Sequence, residues 1–147
     1  MPRNQLLLDV LDCGFDRRSW HGANLMSSLR GVGARTASRR FGSRKTIWQQ
    51  LLHAAYWKHV VINKLAGTTP FGRAGSNWPK PPSKPSEAAW RADIKFLRAE
   101  HAHLRRIIEH LPARALDSKT TWLIHGVALH DVYHAGQIKL LRRLLRG

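Results

Sequence analysis

Cysteine is almost absent. Cys13 stands alone among 147 residues, so no disulfide can cross-link the chain to itself. A single thiol fits a reducing compartment, and a cytoplasmic location is expected. Acids are scarce too: 9 Asp and Glu oppose 25 Lys and Arg, a formal charge of +16. No acid occurs between Asp16 and Glu87, a stretch carrying 13 Lys and Arg. That excess implies anionic partners and says nothing about fold. No apolar run approaches the roughly 20 residues of a membrane span. The Leu run near the start is broken by Asp9 and Asp12, so a secretory signal is not expected. Alternating polar and apolar segments and Asn-Gly hairpin signals are missing, which leaves nothing to build a sheet from. Disorder is excluded by 43% hydrophobic residues and six tryptophans.

What is present is helical periodicity. From Ser86 to Leu111, the residues Trp90, Ile94, Leu97, His101, Leu104, Ile108 and Leu111 recur at spacings of four and three. Ser86 suits the N-cap, Glu87 the first turn, and Pro112 ends the segment. A second helix is predicted from about Thr121 to Leu145, with Leu123, Val127, His130, His134, Gln137, Leu141 and Leu145 on one face. A third runs from about Thr46 to Ala66 and stops at Gly67. Apolar on nearly every side, it belongs at the centre. Asn4 to Phe15 reads as helix, and Ser19 to Arg30 either continues it or begins another. Residues 31–45 are Gly/Ser/Arg-rich and predicted to be loop. Residues 67–85 hold five prolines and form a second loop. A plain helix hairpin needs only about 2–8 residues there, so this length permits a crossover. The fold class predicted is all-α, a four-helix bundle with a long crossover between its second and third helices, in one domain over 1–147.

Three of the nine histidines stand out. His130 and His134 are four apart, so their rings share a helix face about 6 Å apart, the spacing for one metal ion. Both interrupt an apolar stripe, where unpartnered imidazoles are costly. His53, on a possible inward face of the central helix, supplies a third candidate. On spacing alone an incidental pair remains open; the core position and the third histidine favour a metal.

Two strings carry a resemblance. Ile47-Trp48-Gln49-Gln50-Leu51-Leu52-His53-Ala54-Ala55-Tyr56-Trp57 resembles the second-helix motif of the DinB-like superfamily, and Gly126 to Ile138, with His130-Asp131-Val132-Tyr133-His134, resembles its last-helix motif. Trp20-His21-Gly22, Asn77-Trp78-Pro79 and His101 with Leu104 match one branch. The resemblance implies a bundle, often dimeric, with a divalent metal (zinc, nickel or iron, zinc favoured) on His53, His130 and His134. It further implies a low-molecular-weight thiol cosubstrate, since some branches transfer bacillithiol, mycothiol or glutathione and one is a thiol-dependent isomerase. Two positions depart from the branch pattern: Lys45 replaces a histidine, and Gln49 replaces a carboxylate one turn before His53.

Three neutral imidazoles leave the ion's charge uncompensated and at least one coordination position open, which suits catalysis rather than structure. The expectation is a metal-dependent S-transferase or hydrolase acting on an anionic thiol and an electrophile. The alternatives are a basic nucleic-acid-binding module, suggested by Arg35, Arg39, Arg40, Arg44 and Lys45, and a metal-binding bundle without catalysis. Further candidates are Gln137 as a hydrogen-bonding or packing residue, Tyr56 and Trp57 as core aromatics or pocket walls, and His101 as pocket lining or a satisfied core histidine. His21 is a candidate to reach in from the first helix, and Gln49 to stand behind His53. Asp131 is expected at the surface or as a cap, and His59, His103, His110 and His125 in surface or packing roles.

Overall fold

In the computed structural model, which describes residues 2–146, every regular element is a helix. α1 spans Arg3–Phe15 and buries Leu7, Leu8, Leu11 and Phe15. Two short helices follow, α2 at Leu25–Leu29 and α3 at Ala34–Ser38. α4 covers Ile47–Ala66, α5 covers Glu87–Glu109, and α6 covers Ser118–Arg146, with a 3-10 turn at Ala113–Ala115 before the last. No helix among the described residues is long and apolar enough to cross a membrane.

Local chemistry sets the ends of the long helices. The Thr46 hydroxyl accepts the Gln49 N–H at 3.1 Å, and the Gln49 side-chain oxygen accepts the Thr46 N–H at 2.8 Å. This reciprocal box satisfies two otherwise orphaned donors at the start of α4. Gly67 ends α4 with φ 97, a conformation that favours glycine. Ser86 caps α5 through the Ala89 N–H at 3.1 Å.

The N-terminal third departs from expectation in two places. Of Ser19 to Arg30, only α2 is helical, opened by a capping box between Asn24 and Ser27. Residues 31–45, expected to be loop, contain α3. Its N-cap is Gly33, which has no side chain to cap with. The Glu87 carboxylate, 53 positions away, accepts the Ala34 N–H at 2.7 Å instead. A negative charge at a helix N-terminus is favourable, and here it comes from the start of α5.

α1 packs against α5 and α6, and α4 packs against the same two helices. α1 and α6 approach so closely that a Cβ on Gly14 would sit 2.7 Å from the Ala128 carbonyl oxygen. One part of the core gathers Phe15, Trp48, Leu52, Trp90, Leu97 and Ile138; the other gathers Leu8, Leu11, Ile62, Leu104, Ile108 and Ile124. Trp48 and Trp90 meet edge to face at 5.0 Å. Their buried indole N–H groups donate to Asp93 and to the Val32 carbonyl, at 2.8 and 2.7 Å.

Residues 67–86 join α4 to α5 without a helix or strand. Side chains anchor this connection. Phe71 packs on Phe96 and Tyr56, Arg73 pairs with Asp93 at 2.8 Å, and Trp78 lies flat on His53, ring centroids 3.7 Å apart. That last contact brings the connection to the histidines.

Candidate metal centre

α4 contributes His53, and α6 contributes His130 and His134 one turn apart. Their rings converge: His130 Nε2 lies 3.1 Å from His53 Nε2 and 3.0 Å from His134 Nε2. The outer nitrogens explain the orientation. His53 Nδ1 donates to the Asn77 carbonyl at 2.5 Å, and His134 Nδ1 donates to the side-chain oxygen of Gln50. Both partners are acceptors, so the Nδ1 atoms carry the protons and the Nε2 lone pairs point inward. His130 Nδ1 is buried without a partner.

Inward lone pairs in contact repel unless a cation or proton lies between them. Tetrahedral ligation at about 2.0–2.1 Å places ligand nitrogens roughly 3.3 Å apart, close to the spacing found here. Neutral imidazoles are what a divalent ion requires, and burial supplies them. Burial lowers the His53 pKa, opposed by the Asn77 hydrogen bond and aided by Lys45. Burial, then the neighbouring His53, brings His130 to about 4; burial, then His130, brings His134 to about 3. The three residues fit a divalent metal.

Two depressions flank the cluster. On the His134 side, Arg44, Lys45, Gln50, Trp78, Tyr133 and Gln137 line a polar pocket of about 320 Å³. Lys45 sits 5.1 Å above the Trp78 ring. On the His130 side, Trp57, Val61, Trp122, Leu123 and Val127 line an apolar groove of about 180 Å³.

Several expected residues lie elsewhere. Gln49 is occupied as the cap of α4, and its neighbour Gln50 is the one that reaches His134. His101 is a core residue outside the cluster: it stacks on Phe15 with ring centroids 3.7 Å apart, its Nε2 donates to Asp12 at 3.3 Å, and its Nδ1 is buried without a partner. Burial, reinforced by Lys58, Arg105 and Arg98, lowers it to about 2. His21 is exposed between α1 and α2, outside the cluster. Tyr56 packs on Trp57 and Phe71, whereas Trp57 both lines the groove and donates to the Asn77 side chain at 2.9 Å. Gln137 lines the polar pocket.

Asp131 corrects the surface expectation. It is fully buried and accepts from fully buried Lys58 at 2.5 Å. Burial pushes its carboxyl up to about 6, against the pull of Lys58. The pair joins α4 to α6, the two helices that carry the histidines. Lys58, Gln50 and the Asn77 carbonyl were invisible as functional candidates. A lysine inside a helix apolar on nearly every side was the one available signal for the first.

Among known protein families, the DinB superfamily matches residues 19–138. A curated relative is the cytochrome P450 monooxygenase esdpI of Penicillium shearii, 32% identical over 93 residues, which is 63% of this chain and 17% of that protein. The chain thus spans under a fifth of that relative's length. No solved structure matches the chain. The family match covers most of the sequence, including all of α4 and α5 and the histidine-bearing part of α6, and this chain belongs to the DinB superfamily.

Proposed function

We propose that the chain is a divalent-metal-dependent transferase of low-molecular-weight thiols, working as a four-helix bundle with the 67–86 connection as its crossover. The carrying observation is three converging imidazole Nε2 atoms with no carboxylate among them, those of His53 and His134 set as lone pairs by the acceptors at their Nδ1 atoms. A bound divalent ion, zinc being favoured, would supply Lewis acidity that deprotonates a thiol or, in the related hydrolase reading, a water. Arg44 and Lys45 would attract the carboxylates of an anionic thiol, and Gln137 and Tyr133 offer it hydrogen bonds. The thiolate sulfur then forms the new S–C bond with its electron pair. The leaving group departs with the pair from the bond that breaks, and the thiol proton passes to solvent. A homodimer is part of this reading, supported by the exposed apolar residues Leu129 and Leu140 of α6.

The test is metal analysis by mass spectrometry on untagged protein and on His130→Ala/His134→Ala. About one ion per chain, lost in the variant, is expected. Consumption of bacillithiol, mycothiol or glutathione with an electrophile should disappear with the metal. No metal in the wild type after loading with zinc, nickel and iron would overturn the reading.

A second reading has its own observation. Lys139, Arg142 and Arg143 cluster near the end of α6, and no Asp or Glu of the described residues pairs with them. A phosphate backbone would suit that surface. Binding to duplex or single-stranded nucleic acid that weakens steeply with salt would establish it; no binding at about 50 mM salt would remove it.

A further inference from the structure

The groove beside His130 shares only that residue with the metal centre. It is lined by Trp57 and Val61 from α4 and by Trp122, Gly126, Val127 and His130 from α6. In a chain of charge +16, no charged side chain lines it. Its volume, about 180 Å³, suits a small aromatic, since an apolar cavity of about 150 Å³ takes benzene.

Two features shape the groove. Gly126 lies well inside a 29-residue helix, where glycine costs about 1 kcal/mol relative to alanine. A Cβ placed on it would meet nothing within 4 Å, so packing within the chain does not require glycine there. The groove wall is also tied to the metal centre. The Trp57 indole N–H donates to the Asn77 side chain, and the Asn77 backbone carbonyl holds His53. Asn77 has φ 31, a left-handed conformation. One residue therefore fixes both the groove wall and one imidazole.

We propose that this groove is the subsite for the apolar body of the electrophile, a neutral group of one or two aromatic rings. Trp57 and Trp122 contact it, and His130 places it beside the metal centre. The assignment rests on the thiol-transfer reading, in which the anionic cosubstrate takes the polar pocket on the opposite side of the cluster. The two sides sort the reactants by charge.

The test uses 1-naphthol as probe, titrated calorimetrically into chelator-treated protein so that metal plays no part. Gly126→Leu fills the groove, with helix propensity in its favour. Trp122→Ala removes a wall residue that is 74% exposed and carries little of the fold. Saturable binding by the wild type is expected, weakened at least tenfold in Gly126→Leu and several-fold in Trp122→Ala, with metal occupancy unchanged in both. No saturable binding by the wild type, or equal binding by Gly126→Leu, would overturn the assignment. So would a dimer becoming a monomer in Gly126→Leu with naphthol binding intact, which would give the groove to a second copy of the chain. Loss of metal in neither variant but loss of naphthol in both would separate this subsite from the metal reading, which is judged on His130 and His134.

Discussion

His59 and His101 are buried histidines with an acid beside each; His53, His130 and His134 have none. His59 faces Glu100 at 3.1 Å and the Thr69 carbonyl at 2.8 Å. His101 faces Asp12 at 3.3 Å. His59 is completed at both ring nitrogens and His101 at Nε2, each by groups of the protein. The other three turn their Nε2 atoms towards one another, and the protein completes the outer edges of only His53 and His134. The contrast is sharpest at Asp131, next in sequence to His130 yet committed to Lys58. A chain with nine acids uses several as internal anchors and places none against the three imidazoles. An ion there would keep its full positive charge, the condition for strong Lewis acidity.

Removing an acid from where it is needed is the strongest way to break this contrast. Asp131→Ala strands a buried ammonium and should cost about 3–5 kcal/mol in chemical denaturation, with most of that recovered in Lys58→Met/Asp131→Leu. An Asp131→Ala protein as stable as the wild type would show the pair to be dispensable. Next comes the outer edge of the cluster. Gln50→Leu takes away the acceptor of His134 Nδ1–H and should weaken zinc affinity about 10–100-fold in a chelator competition. Gln49→Leu should leave affinity unchanged and lower stability by about 1 kcal/mol through the lost cap. Equal effects of the two on zinc would refute the distinction between adjacent glutamines.

The smallest effect concerns pH. His101 sits at about 2 when folded, against 6.5 for an ordinary histidine. A depressed imidazole makes its full contribution to stability above pH 6.5 and loses it as pH falls towards 2, because unfolding takes up a proton. Each such proton tilts stability by about 1.4 kcal/mol per pH unit. Denaturation of chelator-treated protein between pH 6 and 4 should therefore be flatter in pH for His101→Gln by about that slope. An unchanged slope would place the proton uptake elsewhere.

The sequence made α4, α5 and α6 legible because their signals are local: Ser86 as a cap, Gly67 and Pro112 as stops, and apolar residues every three or four positions. The His130 and His134 pair was legible for the same reason, whereas His53 joined it through its possible inward face and the family resemblance. What stayed hidden depends on residues far apart in the chain. Glu87 caps α3 from 53 positions away. Gln49 and Gln50 differ by one position, but only the second points at α6. Asp131 lies about 100° round the helix from His130, and nothing local says that Lys58 waits on that side. His101 carried a functional look because its stripe matched a family pattern, while Asp12 and Phe15 on α1 had already claimed it.

The connection from α4 to α5 is ordered by side chains alone. Among the described residues, no backbone amide from 70 to 85 donates to a backbone carbonyl. Five prolines reduce the number of donors that need one. Its amides should therefore exchange with solvent deuterium quickly even while Phe71 and Trp78 stay packed. A segment that looks unprotected by exchange would be the one that holds His53 in place, so protection and importance would run in opposite directions there.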